Sequence, residues 1–251
     1  MRVVVAIDSF KGSMSSLEAG EAISKGIKKA HNDAEVEIRP LADGGEGTVE
    51  ALSIGMGGRL INVDVTGPVG RKVNAVYGIV DSSKTAIIEM SQAAGITLVS
   101  GNEKNPLYTT TFGVGELIKD AINKGCRHFV VGIGGSATND CGIGMLQALG
   151  YEFLDKEGKQ VGFGASGVRD IVSIRDENVI KELSECYFRV ACDVNNPLCG
   201  DLGCSAIYGP QKGATKEMVA DMDGWLKNYS KIVKEKYPDA DCEYPGTGAA
   251  G

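Results

Sequence analysis

Five clusters of glycine and polar residues, each set where an apolar run should end, hold the side chains with which this sequence could do chemistry. Asp8-Ser9-Phe10-Lys11-Gly12-Ser13 places a carboxylate, a point cation and two hydroxyls just ahead of a helix start, where free N–H groups and the helix dipole favour anions. Taken alone it also reads as an ordinary capped loop. Asp43-Gly44-Gly45-Glu46-Gly47-Thr48 spaces two carboxylates with glycines, so both can turn toward one point. Such a pair suits Mg²⁺, or one member can accept a proton from a substrate hydroxyl. In the third cluster, Gly134-Gly135-Ser136-Ala137-Thr138-Asn139-Asp140, backbone N–H groups of Gly134, Gly135 and Ser136 can wrap a phosphate. Thr138, Asn139 and Asp140 are expected on the first turn of a following helix, with a metal bridging the Asp140 charge to the phosphates. Asp193-Val194-Asn195-Asn196-Pro197-Leu198 reads either as a metal-binding or base-supplying loop or as an Asx turn. Tyr208-Gly209-Pro210-Gln211-Lys212-Gly213-Ala214-Thr215 adds a lysine and an amide before another helix.

Several chemistries drop out. No G-x-x-x-x-G-K-[ST] motif is present, so this is not a P-loop enzyme. Gly132, Gly134 and Ala137 do satisfy the dinucleotide pattern G-x-G-x-x-A, with Glu152 near the expected acidic position, and a nicotinamide-dependent oxidoreductase of a small hydroxy acid stays open as the alternative. There are two histidines, His31 and His128, and seven cysteines without a C-x-x-C pair. A zinc site, a disulfide framework and catalysis by a thiolate or histidine base are therefore set aside, and a reducing cytoplasm fits best. The formal charge is −7, from 26 Lys and Arg against 33 Asp and Glu, which argues against nucleic acid as a partner. Apolar runs such as residues 3–7 and 129–133 are strand-sized, far below the roughly 20 residues of a spanning helix, so no membrane partner is expected.

The elements around these clusters read as α/β. Residues 2–7 form a β-branched run expected as a buried strand; Ser15 and Glu18 have capping-box spacing; Ile23, Ile27 and Ala30 form a helical stripe; residues 35–41 are the next strand. A β-α-β opening implies a parallel sheet of Rossmann or flavodoxin-like type. Residues 59–66, 73–80 and 85–90 are short strands joined by tight turns, an antiparallel meander that marks a second, mixed-sheet unit. The expected division is residues 1–62 and 63–251. Val114, Leu117, Ile118, Ala121 and Ile122 then give a helical stripe stopped by Gly125. A strand at 128–133, a helix at 138–149, a hairpin-like segment at 151–161, a helix near 177–185 and a strand at 187–192 follow. The last helix, about 215–235, carries Val219, Met222, Leu226, Tyr229 and Val233 on its core face. Residues 245–251 stop in mid-motif, which reads as a chain shorter than the unit it belongs to.

The ordered set DSFKGS (8–13), DGGEGT (43–48), GGSATND (134–140), DVNNPL (193–198), YGPQKGA (208–214) and GTGAAG (246–251) resembles the bacterial glycerate kinase family over essentially the whole chain. The resemblance implies two α/β domains with an active site between them. It also implies ATP-dependent phosphorylation of D-glycerate with Mg²⁺, at the 2-hydroxyl in preference to the 3-hydroxyl. Relatives continue past the GAAG glycines, so part of the first unit's sheet and one wall of the cleft are expected beyond residue 251. A homodimer is allowed. On this reading Asp43 or Asp193 is the base or orienting carboxylate, and Lys11 meets the substrate carboxylate or the transferring phosphoryl group. Asp8 and Asp140 are metal candidates, and Gly134, Gly135, Ser136 and Thr138 form the phosphate cradle. Ser9, Gly44, Gly45, Glu46, Asn139, Asn195 and Lys212 contact substrate or nucleotide. The residue types agree, because phosphoryl transfer asks for positioning and electrostatics rather than covalent catalysis.

Overall fold

A computed structural model of the chain describes residues 1–10, 13–41, 45 and 47–250. Strand β1 (Arg2–Ile7), helix α1 (Ser16–Ala30) and strand β2 (Glu35–Pro40) form the expected β-α-β unit, with the strands parallel in the register Arg2↔Glu35 to Ile7↔Pro40. The capping box is present: Ser15 Oγ accepts from Glu18 N, and Glu18 Oε2 accepts from Ser15 N at 2.8 Å. The buried face of α1 differs from the expected stripe. It consists of Ser16, Ala19, Gly20 and Ser24, while Ile23 and Ala30 face outward. Small residues are needed there because a Cβ on Gly20 would sit 2.5 Å from Ile38 Cγ2 of β2. Nor is β1 buried on both faces. Val5 is covered, whereas Val4 is 58% exposed, since α1 shields only one side of this two-stranded sheet.

Helix α2 (Thr48–Gly55), absent from the sequence reading, links the pair to the larger sheet by packing on β2 and on the strands β3 (Arg59–Thr66), β4 (Lys72–Val80) and β5 (Thr85–Glu89). Those three strands are the expected antiparallel meander, and the anticipated boundary at residue 62 lies inside β3, which pairs with β4 along its whole length. Helices α3 (Ser91–Ala94) and α4 (Phe112–Asn123) follow, then β6 (His128–Gly132), α5 (Ile143–Ala148), β7 (Glu152–Leu154), α6 (Gly164–Asp170) and β8 (Ser173–Arg175). Strand β9 (Tyr187–Ala191), α7 (Cys204–Tyr208) and α8 (Lys216–Lys236) complete the chain. The five-stranded sheet runs β3-β4-β5-β6-β9, antiparallel in its first half and parallel from β5 to β9. No helix among the described residues is long and apolar enough to cross a membrane.

One core lies between this sheet and α4, whose Val114, Leu117, Ile118, Ala121 and Ile122 are buried as the stripe requires; Gly125, at φ +89°, ends the turn after it. A second core gathers Ile143, Phe153 and Ile171 around Leu226 and Tyr229 of α8. Two expected helices shrink. Residues 138–142 are irregular and α5 begins only at Ile143, and the segment near 177–185 contains a single 3₁₀ turn, Lys181–Glu185. Helices α4 and α5 touch where Gly115 meets α5, leaving a Cβ there only 2.2 Å from Met145 O. Gly115→Ala is therefore expected to destabilise the fold by about 1–3 kcal/mol, as overpacking does, read as a lower urea midpoint with unchanged slope.

Candidate active site

The carboxyl ends of β5, β6 and β9 share one edge of the sheet, so the loops that leave them must converge. They enclose a cleft of about 450 Å³. Into it come Gly134, Gly135 and Ser136 from the loop after β6, and Asp193 and Val194 from the loop after β9. Tyr208, Gln211 and Lys212 add the fifth cluster, and Gly45 and Ala249 reach it from the second cluster and the closing GTGAAG stretch. A neighbouring hollow of about 470 Å³ is lined by Ser9, Gly47 and Glu89, and Gln92 borders both. Five separated stretches of chain thus meet around one space.

The floor of the cleft is main chain. Gly135 adopts φ +71°, and Ile96 N→Gly135 O (2.8 Å) and Ala137 N→Ala94 O (2.8 Å) clamp the turn against the segment after α3. The N–H groups of Gly134, Gly135 and Ser136 find no acceptor among the described residues. Amides left open in a left-handed turn form an anion-binding concavity. Beneath it lies Lys212, only 1% exposed, whose ammonium donates to Thr138 O and to Ala250 O, each at 2.6 Å. Loss of water pushes its pKa down to about 8, against smaller opposing pulls from Cys204 and Asp140. Ser136 Oγ also donates to Ala250 O, at 3.2 Å.

The polar triplet after the cradle behaves differently from its expected role. Thr138, Asn139 and Asp140 are fully buried below the cleft rather than displayed on a helix. Asp140 Oδ2 accepts from Thr111 N and Thr111 Oγ1, both at 2.9 Å, and Oδ1 accepts from Gly142 N at 3.1 Å. Burial raises its pKa despite these bonds. Its oxygens are occupied in joining the starts of α4 and α5, so the expected metal ligand is a carboxylate turned inward. Asn139 Nδ2 donates to Ser205 Oγ at 3.0 Å, while Thr138 Oγ1 and Asn139 Oδ1 have no partner. Asp193, by contrast, is exposed and lines the cleft. Asn195 is exposed and does not line it; its neighbour Asn196 is the tie, with Oδ1 accepting from Tyr208 OH (2.8 Å) and its carbonyl accepting from Gly246 N and Gly248 N. Asp8 Oδ1 accepts from Ser9 N at 2.6 Å at the end of β1. Lys11, Asp43, Gly44 and Glu46 lie outside the described residues.

The sequence profile of the glycerate kinase family matches residues 3–251. The chain belongs to that family. It is 48% identical to the glycerate kinase of Haemophilus influenzae over 251 residues and 45% identical to the glycerate 2-kinase of Escherichia coli. Both alignments take in 100% of this chain and 66% of the relative, so the chain spans about two thirds of the length of these relatives. A crystal structure described as that of a putative glycerate kinase 2 from Salmonella typhimurium LT2 superposes with a TM-score of 0.94 at 45% identity, covering 100% of this chain and 67% of that one.

Nothing in this family's likeness supports the dinucleotide alternative, and the geometry explains why the G-x-G-x-x-A match misleads. That fingerprint needs a helix beginning in the turn, but α5 starts six residues after Ala137, whose N–H is already given to Ala94. Glu152 sits on β7 and accepts from Asn178 Nδ2, away from the cleft. As for magnesium, no group of three or more His, Cys, Asp or Glu among the described residues could hold a metal. The exposed Asp193 carboxylate nevertheless fits, since Mg²⁺ is commonly held by one or two carboxylates with phosphate oxygens and water filling the rest. Glu89 lies outside all five clusters, and Asn196 lies in the fourth without being among its expected contact residues. For Glu89 one signal existed, an acid closing an otherwise apolar strand, Thr85-Ala86-Ile87-Ile88-Glu89.

The Lys212 ammonium yields a signed expectation. Its folded pKa, about 8, lies below the ordinary 10.5, so between those values the unfolded chain holds a proton that the folded chain has released. Raising pH through this window favours the fold by up to about 1.4 kcal/mol per unit, the gain being complete above 10.5 and lost as pH falls through 8. The stability difference between wild type and Lys212→Met, from urea melts, should climb over that range. A flat difference would contradict it.

Proposed function

We propose that this chain carries the reactive cleft of an ATP-dependent glycerate kinase, in which the terminal phosphoryl group of ATP passes to D-glycerate at its 2-hydroxyl. The observation that carries the reading is the pairing, in one cleft, of three open main-chain amides at the end of β6 with the exposed carboxylate of Asp193. The names of the relatives support the same activity, glycerate kinase and glycerate 2-kinase among them.

In this scheme Gly134, Gly135 and Ser136 hold phosphate oxygens, whose developing charge is met by dipoles already in place. Asp193 or Asp43 accepts the hydrogen bond of the attacking hydroxyl and aims it, the service a carboxylate gives in this reaction class. Lys11 answers the glycerate carboxylate or the transferring group, with Ser9, Gly44, Gly45 and Glu46 beside it. Lys212, Thr138 and Asn139 act from below, fixing the cradle they underlie. Asp8 would hold magnesium, or Asp193 would where Asp43 orients the hydroxyl, and the ion would supply charge neutralisation. The setting is cytoplasmic.

A coupled ADP-release assay with ATP and D-glycerate tests the activity, and ³¹P NMR of the product locates the phosphate. Asp193→Asn should lower kcat by about 10²-fold or more, the range for removing a positioned proton acceptor. Turnover within threefold of wild type would remove Asp193 from its role.

A further inference from the structure

The buried carboxylate of Glu89 is assigned no role by the scheme above, yet it lines the hollow beside the cleft. It closes β5, is 2% exposed, and pairs in register with Gly132, two residues before the cradle. Its Oε1 accepts from Val49 N at 2.7 Å, across 40 residues of chain, and its Oε2 accepts from Ser91 Oγ at 3.3 Å. Val49 lies in the first turn of α2, where N–H groups lack helical acceptors. The residue that should cap them locally is Gly47, at φ +92°, which has no side chain to offer. A carboxylate at that end of the helix also meets the positive pole of its dipole. Thr48, next in line, donates its Oγ1 to Gly45 O at 2.8 Å, and Gly45 lines the cleft.

We infer that Glu89 is a positioning residue that caps α2 from the sheet and, through Val49 and Thr48, sets the Gly45 backbone against the Gly134–Ser136 cradle. This rests on the kinase reading for its functional consequence, though not for its structural content. The link runs from the central strand to the second glycine cluster without passing through the β-α-β unit. It makes the distance between two parts of the cleft depend on one side chain.

The test compares Glu89→Ala with Glu89→Gln in the whole chain. Glutamine retains Oε1 as an acceptor at nearly the same place, so it should restore what alanine loses. By hydrogen exchange and mass spectrometry, Glu89→Ala is expected to speed exchange of the amides in residues 47–52 at least tenfold while α1 and α4 keep wild-type rates, and Glu89→Gln to stay within threefold. In the ADP-release assay kcat/KM for D-glycerate should fall about tenfold in Glu89→Ala and recover in Glu89→Gln, with KM for ATP within twofold throughout. If Glu89→Ala does not fold, Glu89→Asp, which keeps the charge but withdraws the acceptor by one methylene, should show the same local loss of protection. Unchanged exchange in residues 47–52, acceleration spread evenly over the molecule, or no rescue by glutamine would overturn the inference. A wild-type chain that releases no ADP with D-glycerate would count against the proposed activity, and the exchange arm would then decide Glu89 by itself.

Discussion

A single ammonium group, excluded from water, governs how the cleft is put together. Stripping a lysine of its hydration costs several kcal/mol unless dipoles replace the lost water. Around Lys212 those dipoles are the carbonyls of Thr138 and Ala250, one from the loop after β6 and one from the closing glycine stretch. Each carbonyl must point at the nitrogen, and this orients the peptide planes on either side. The cradle is further pinned by Thr109 Oγ1→Ala137 O at 2.7 Å and by Ala137 N→Ala94 O. A turn held from below in this way presents its remaining amides without needing to reorganise when an anion arrives, and such preorganisation is where electrostatic catalysis obtains its advantage.

How helices begin in this molecule explains what could be read from the sequence. Helices α1 and α8 carry their own caps, Ser15 and Thr215, and both starts follow from local residue types. Helices α2 and α5 begin at Gly47 and Gly142, which cap nothing, and the carboxylates serving them, Glu89 and Asp140, are remote or belong to the preceding loop. Accordingly nothing local marks α2, and local residue types place the start of α5 too early. Strands fared better because alternation and short turns are local properties, and the meander matched nearly to the residue. The buried face of α1 departs from the apolar stripe for a different reason. A close helix–strand approach selects Gly20 over a bulky neighbour, and periodicity of large apolar residues cannot register that.

At the site, position was legible and role was not. Parallel strands end on one side, so clusters that follow strands had to gather there. Burial, however, is a property of the whole fold. Asp140 and Asp193 look alike as letters close to asparagine, yet one is sealed beneath the cleft with both oxygens bonded and the other stands in the opening. The same distinction separates Asn195 from Asn196. Only the second has neighbours on three stretches of chain, through Leu202 O, Tyr208 OH and the amides of Gly246 and Gly248.

The antiparallel half of the main sheet then acquires a purpose beyond covering α4. Gln92, in α3, borders both hollows, and its Oε1 accepts from Val76 N of β4 at 3.2 Å. The wall between the two spaces is therefore fixed from the meander, whereas the floor of the cleft is fixed from the parallel half through Lys212. A phosphate and a small acceptor must meet at a defined separation for transfer to be fast, since orientation alone can account for much of the barrier reduction. Fusing a meander to a parallel sheet places the two anchoring systems on β4 and β6, joined through β5 by one hydrogen-bonded ladder. The mixed sheet thereby sets the spacing between the two hollows.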